Sequence, residues 1–171
     1  MNTDINMEIN QIKSVYFIGA GGIGMSALVR YFLSKGKNVA GYDRTPSELT
    51  EKLIEEGAKI HYTEDIKLIP EECLDKSSTL VVLTPAIPKE HAELNFFIDG
   101  NFEIQKRAQV LGTITKSSKG LCVAGTHGKT TTSTMTAHIL HQSKVDCTAF
   151  LGVLQKTTKV TLFFLIKVTS Q

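Results

Sequence analysis

The sequence predicts an α/β fold: a Rossmann-like parallel sheet with helices on both faces, followed by the beginning of a P-loop α/β domain. Three observations carry this. Gly19-Ala20-Gly21-Gly22-Ile23-Gly24 stands between an apolar run and a helical pattern. Far along the chain, Gly125-Thr126-His127-Gly128-Lys129-Thr130-Thr131 occupies the same kind of junction. Between them, Thr79-Leu80-Val81-Val82-Leu83 is an uninterrupted apolar run, as expected of a strand buried on both faces.

Taken in order, Val15 to Ile18 is the first strand, ending at the first glycine turn. Met25, Leu28, Val29 and Phe32 then share one side of a helix, and Gly36 supplies its stop. Asn38 to Tyr42 is the second strand and ends in Asp43, about 20 residues beyond the glycines. In a strand–GxGxxG–helix–strand–acid unit the glycines permit a tight turn and let a diphosphate approach backbone N–H groups. Asp43 either accepts from a ribose hydroxyl or is an exposed acid in a turn. Thr45-Pro46-Ser47-Glu48 has a cap, a proline at the first helical position and a capping-box acid. That helix runs through Leu49, Leu53 and Ile54 to Gly57, and Lys59 to His61 is a third short strand.

Thr63 to Lys76 reads as a loop with a short helix near Pro70. The strand Thr79 to Leu83 ends at Thr84-Pro85-Ala86-Ile87-Pro88, either a crevice-lining turn or an ordinary proline turn. Ligands of open α/β sheets bind at the carboxyl ends of strands, which favours a shared crevice with the glycine loop. Ala92 to Ile98 is helix-like, Asp99-Gly100-Asn101 is a turn, and a helix is expected from Ile104 to about Ile114. Arg107 lies on its crevice side or is simply solvated. Lys116 to Gly120 is polar and flexible in type, a hinge.

The second glycine turn follows the short strand Gly120 to Ala124. Met135, Ile139 and Leu140 stand at helical spacing after it, against His138, His141 and Gln142. Strand, glycine turn, Gly-Lys-Thr and helix form a phosphate cradle, to which the helix N-terminus adds its dipole. In such a loop Lys129 reaches the β/γ-phosphates and the Thr130 hydroxyl sits on Mg²⁺. The general pattern G-x-x-x-x-G-K-[ST] is not met, because Val123 stands where its first glycine belongs. His127 is assigned no chemistry beyond loop membership. Val145 to Phe150 is one more strand, and Val160 to Val168 is β-rich and apolar.

Composition narrows the function. The chain has 171 residues, 42% hydrophobic and 21% charged, enough for one core or one domain and part of another. A net charge of +2, without a basic block, gives no electrostatic case for nucleic acid or a membrane surface. Cys73, Cys122 and Cys147 lack metal spacing, and two lie in apolar strand-like runs, so buried free thiols in a reducing compartment are expected. Met1 to Lys13 is no signal peptide, and the run Leu162 to Ile166 is too short to span a bilayer. A cytoplasmic location is the expectation.

One Rossmann-like and one Gly-Thr-His-Gly-Lys-Thr-Thr loop in one chain resemble the Mur ligases. The matching residues are Gly19 to Ser26, Thr84 to Pro88, Arg107-Ala108-Gln109-Val110-Leu111 and Gly125 to Thr132. The resemblance covers approximately residues 12–152. His127 looks like the alanine-adding branch or the related tripeptide-adding one, since other members usually have Asn there. The resemblance implies that Gly21, Gly22, Ile23, Gly24, Met25 and Ser26 hold the diphosphate of UDP-N-acetylmuramate. It places Asp43 near the uridine, with Thr84, Pro85, Ala86 and Ile87 lining the same pocket. Gly125, Thr126, His127, Gly128, Lys129, Thr130 and Thr131 would hold ATP, with Lys129 and Thr130 as catalytic residues and Thr130 on Mg²⁺. The reaction it implies is ATP-dependent amide formation with L-alanine through an acyl phosphate, in peptidoglycan precursor synthesis.

The expected division is 1–118 for UDP-sugar binding, 119–152 for the start of an ATP-binding domain, and 153–171 as an atypical tail. Family members carry a second glycine after Leu151-Gly152, then the rest of the ATPase domain and a third domain. Val153 stands in that glycine's place. The resemblance therefore implies a truncated or frame-shifted product that binds nucleotide-sugar but does not turn over alone. Two readings compete with it: an NAD-dependent oxidoreductase, from the first loop and Asp43, and a non-catalytic nucleotide-sugar-binding module.

Overall fold

The computed structural model describes residues 9–116, 120–143, 149–150 and 162–165. The chain divides into two compact units, Met1–Val110 and Leu111–Gln171. In the first, five strands form an all-parallel sheet: β1 (Ser14–Ile18), β2 (Asn38–Tyr42), β3 (Lys59–His61), β4 (Thr79–Leu83) and β5 (Glu103–Lys106). Their order is β3-β2-β1-β4-β5, so the chain reverses direction across the sheet between β1 and β4. Helix α1 (Ile23–Ser34), α2 (Glu48–Glu55) and α3 (Ala92–Asp99) connect them, with two 3-10 segments, Ile66–Leu68 and Glu71–Cys73, in the stretch around Pro70.

β1 is buried at all five residues, which explains a run with no polar alternation. Its two faces serve two cores. Phe17 turns toward α1, with ring centroids 6.3 Å from Phe32. Tyr16 and Ile18 turn the other way and join Ala40, Tyr42, Val81, Leu94, Phe97, Ile69 and Cys73. Gly36 ends α1 as expected, with its N–H donating to Leu33 O at 2.9 Å.

A buried polar chain crosses the second core. Glu93, with no exposed surface, accepts from Tyr16 Oη–H at 2.7 Å and from Asp65 N–H at 3.1 Å. Tyr16 Oη is also 2.8 Å from His61 Nε2, and His61 Nδ1 donates to Thr63 O at 2.8 Å. Burial, and then the bond to Glu93, holds the Tyr16 phenol protonated far above its ordinary range. These bonds tie α3, β3 and the following loop to the central strand.

Several expectations are corrected. The α2 cap is Ser47, not Thr45: Ser47 Oγ accepts from Thr50 N–H at 3.2 Å and Thr50 Oγ1 accepts from Ser47 N–H at 2.9 Å. Thr45 N–H is used instead by Asp43 Oδ1 at 3.2 Å. The helix expected from Ile104 begins at Arg107, as α4 (Arg107–Lys116), because Glu103–Lys106 is the sheet's edge strand. An edge strand half in water needs no apolar run, so Glu-Ile-Gln-Lys carries no strand pattern. Gln109 Oε1 accepts from Lys106 N–H at 2.8 Å and makes the strand-to-helix junction abrupt.

In the second unit β6 (Gly120–Val123) pairs antiparallel with β7 (Leu162–Leu165), and α5 (Lys129–Gln142) packs on both. The β-rich tail is thus a strand at 162–165. The strand expected over 145–150 falls outside the described residues except at 149–150, where Phe150 is buried. The apolar spacing on α5 does not make a buried face within this unit: Met135 and Ile139 are each 60% exposed, whereas Ser133 is buried. The thiols divide: Cys73 is free and buried as expected, whereas Cys122 departs. Cys122 is exposed on β6, and Cys73 is buried in its 3-10 segment, where desolvation pushes the thiol up to about 12; Cys147 lies outside the described residues.

Tyr16→Phe removes the hydroxyl that serves Glu93 and His61 and leaves a carboxylate oxygen buried without a donor. The expected loss is about 1–3 kcal/mol of unfolding free energy, read from the urea midpoint at an unchanged denaturant slope.

Candidate functional site

The register of the sheet brings four strand ends into line. Ile18 pairs with both Tyr42 and Leu83, and Leu83 pairs with Lys106. The residues that follow, Gly19, Asp43, Thr84 and Arg107, therefore emerge side by side at the carboxyl edge. This edge, at the point where strand order reverses, is where open α/β sheets hold ligands.

The glycine loop is tied to its neighbours on both sides. Gly19 and Ala20 N–H groups donate to Tyr42 O at 2.8 and 3.1 Å, and Thr84 N–H donates to Ile18 O at 3.2 Å. Gly19 has φ +91°, and a β-carbon there would overlap the Thr84 methyl, so only glycine permits this turn. The loop then enters α1 with Gly22 as N-cap. No side chain caps it and its first turn carries no acid, so nothing on the helix itself offsets its positive end.

Arg107 lies against the same loop. A β-carbon on Gly24 would sit 3.0 Å from Arg107 Nη1 and 3.1 Å from its Cδ and Cζ. Arg107 is also the first residue of α4, where a cation opposes the helix dipole. Among the described residues no carboxylate pairs with it. Two helix N-termini and a guanidinium thus gather positive potential over Gly22, Ile23 and Gly24, an arrangement suited to a bidentate anion such as a phosphate. Arg107 is among the residues the sequence leaves undecided, because the strand that ends just before it carries no strand pattern.

The other expected residues divide. Ile23 is 61% exposed at the loop, and Pro85 and Ala86 are exposed on the turn beside it. Ile87 is half-buried against the second core. Met25 and Ser26 are buried, and Ser26 Oγ–H donates to Ile23 O at 2.9 Å, so both face into the fold. Asp43 turns toward the loop: its Oδ2 accepts from Gly21 N–H at 2.6 Å and its Oδ1 from Thr45 N–H.

The second unit carries its own anion-directed loop. Gly128, at φ +76°, leads into α5, and Thr132 N–H closes the first helical bond on Gly128 O at 2.9 Å. Lys129 Nζ donates to Gly125 O at 2.5 Å and Thr126 O at 3.1 Å, so the ammonium draws the loop around itself. No acid stands in the first turn of α5. Thr126, His127, Thr130 and Thr131 are exposed. A lysine, a glycine turn, a helix N-terminus and an exposed threonine hydroxyl are the donor set that suits a nucleotide's phosphates and their metal ion.

Comparison with known proteins identifies the family and the fold. Residues 14–119 match the model of the Mur ligase family, catalytic domain. The UDP-N-acetylmuramate–L-alanine ligase of Phocaeicola vulgatus is 70% identical over 150 residues, 88% of this chain and 33% of that protein. The ligase of the same name from Parabacteroides distasonis is 64% identical, over 88% of this chain and 32% of its own length. The chain thus spans about a third of the length of the curated relatives it matches. Among solved structures, the UDP-N-acetylmuramate-alanine ligase of Thermotoga maritima superposes with a TM-score of 0.70 at 28% identity, covering 91% of this chain and 35% of that one. The UDP-N-acetylmuramate:L-alanyl-gamma-D-glutamyl-meso-diaminopimelate ligase of Neisseria meningitides gives 0.68 at 23% identity, over 88% and 46%, and shows the same fold.

Gly19→Ala forces a β-carbon into the Thr84 methyl and a non-glycine residue into positive φ. It is expected to cost about 1–3 kcal/mol through backbone strain alone, measured as a lowered urea midpoint relative to the wild type; Gly36→Ala, which shares the positive φ but meets nothing within 4 Å, should lower the midpoint less.

Proposed function

The chain belongs to the Mur ligase family, and on that premise we propose that it is the nucleotide-binding part of a UDP-N-acetylmuramate–L-alanine ligase, a cytoplasmic enzyme of peptidoglycan precursor synthesis. One observation supports this above the rest: Arg107, without an acidic partner among the described residues, stands over the glycine loop between two helix N-termini. A diphosphate balances that potential. The preference for alanine over a tripeptide as the added group rests on the 70% and 64% identity to alanine ligases. A nicotinamide oxidoreductase leaves the Lys129 loop without a purpose, and family membership replaces that reading.

In this reading Gly22, Ile23 and Gly24 hold the UDP diphosphate through backbone N–H groups, and Arg107 adds a charge-assisted fork. Thr84 to Ile87 wall the same crevice. Gly125 to Thr131 hold ATP, with Thr130 as a ligand to Mg²⁺. MgATP supplies the phosphoryl group that activates the muramate carboxylate for attack by the amine of L-alanine. Lys129, at the head of α5, offsets negative charge on the phosphates it faces. To do so its ammonium exchanges the Gly125 and Thr126 carbonyls for phosphate oxygens.

Two variants test the two loops separately. Arg107→Ala should weaken UDP-N-acetylmuramate binding about 10–100-fold, the loss of one charged hydrogen-bonding group, while ATP affinity holds; an unchanged sugar-nucleotide affinity in calorimetry would reject the diphosphate assignment. Lys129→Ala should weaken ATP binding by at least about tenfold and spare the sugar nucleotide; equal ATP affinity in both proteins would remove the second loop from the proposal.

A further inference from the structure

Asp43 sits where a doubly wound fold places its ribose-reading acid. Its geometry here is different. Oδ2 takes the N–H of Gly21 at 2.6 Å, the shortest approach any group makes to the glycine loop among the described hydrogen bonds, and Oδ1 takes Thr45 N–H at 3.2 Å. The space around Gly21 is closed: a β-carbon there would lie 2.9 Å from Asp43 Oδ2 and 2.8 Å from the Thr50 methyl. Thr50 is itself fixed by Ser47 and by Tyr62 Oη–H at 2.9 Å, so the wall behind Asp43 is rigid. One of the loop's N–H groups is therefore already taken by a carboxylate.

From this we infer that Asp43 is a positioning residue of the diphosphate site and not a reader of the ribose 2′-hydroxyl. It pins Gly21, so that the N–H groups of the loop left for a ligand are those of Gly22, Ile23 and Gly24, the last beside Arg107. The sign of its charge fits this role. A carboxylate aimed at a diphosphate would repel it, whereas one whose two oxygens accept from Gly21 and Thr45 N–H is spent on the turn and polarises it. The inference rests on the diphosphate reading above for its ligand, but the contact between Asp43 and Gly21 stands apart from any ligand.

The test has one arm without ligand and one with it, on the whole chain. Amide exchange at Gly21, followed by NMR, should be slow in the wild type and in Asp43→Asn, whose carbonyl still accepts, and fast in Asp43→Ala. Calorimetry should then give the wild type equal affinity, within about twofold, for UDP and 2′-deoxy-UDP. Asp43→Ala should lose about tenfold toward both while Asp43→Asn recovers most of it. Equal Gly21 exchange in wild type and Asp43→Ala would overturn the brace. So would a wild type that disfavours 2′-deoxy-UDP tenfold, with that preference abolished in Asp43→Ala. Protection at Gly21 without UDP binding in the wild type would refute the diphosphate reading and leave the brace standing.

Discussion

The parallel register of β1 with β2 and β4 is the constraint from which the rest follows. Because Ile18 is opposite both Tyr42 and Leu83, three chain segments leave the sheet at one level. A slip of one residue would turn every side chain of β1 to the opposite face. Phe17 would then meet the core made for Tyr16, and the Tyr16 hydroxyl would lose Glu93. The register is thus enforced by packing on two faces, and the crevice inherits its alignment.

The first unit separates its charges by depth. Glu93 is buried and fully used, accepting from a phenol and a backbone N–H. Asp43 is half-buried and turned into the loop. Arg107 is the group left facing the crevice, at a helix start where a cation is disfavoured by the dipole. A local rule is broken at this helix start. The surrounding structure carries the cost through a core of Tyr16, Phe17, Phe32 and Phe97, all with no exposed surface.

The second unit shows the same logic in a smaller frame. Lys129 gathers the carbonyls of Gly125 and Thr126, which organises the loop around a cation before any anion is present. Its helix keeps Met135 and Ile139 in water. The helical spacing is therefore a true property of the segment, whereas burial is a property of what packs against it, which among the described residues of this unit includes β6 and β7.

The residues alone determined the fold class, both glycine loops, four of the five parallel strands and the first two helices with their glycine stops. Each rests on a local rule: apolar runs buried on both faces, glycine where φ is positive, helical spacing. What only the tertiary structure decided are the features in which distant residues meet. The edge strand Glu103–Lys106 exists because β4 offers it a ladder, not because Glu-Ile-Gln-Lys prefers extension. Ser47 rather than Thr45 caps α2 because Thr50 reciprocates and Asp43 takes the Thr45 N–H. The same holds for the site. A motif names the glycines, but Arg107 reaches Gly24 and Asp43 reaches Gly21 only once the strands are in register, since a hydrogen bond is set by distance and angle and not by spacing along the chain.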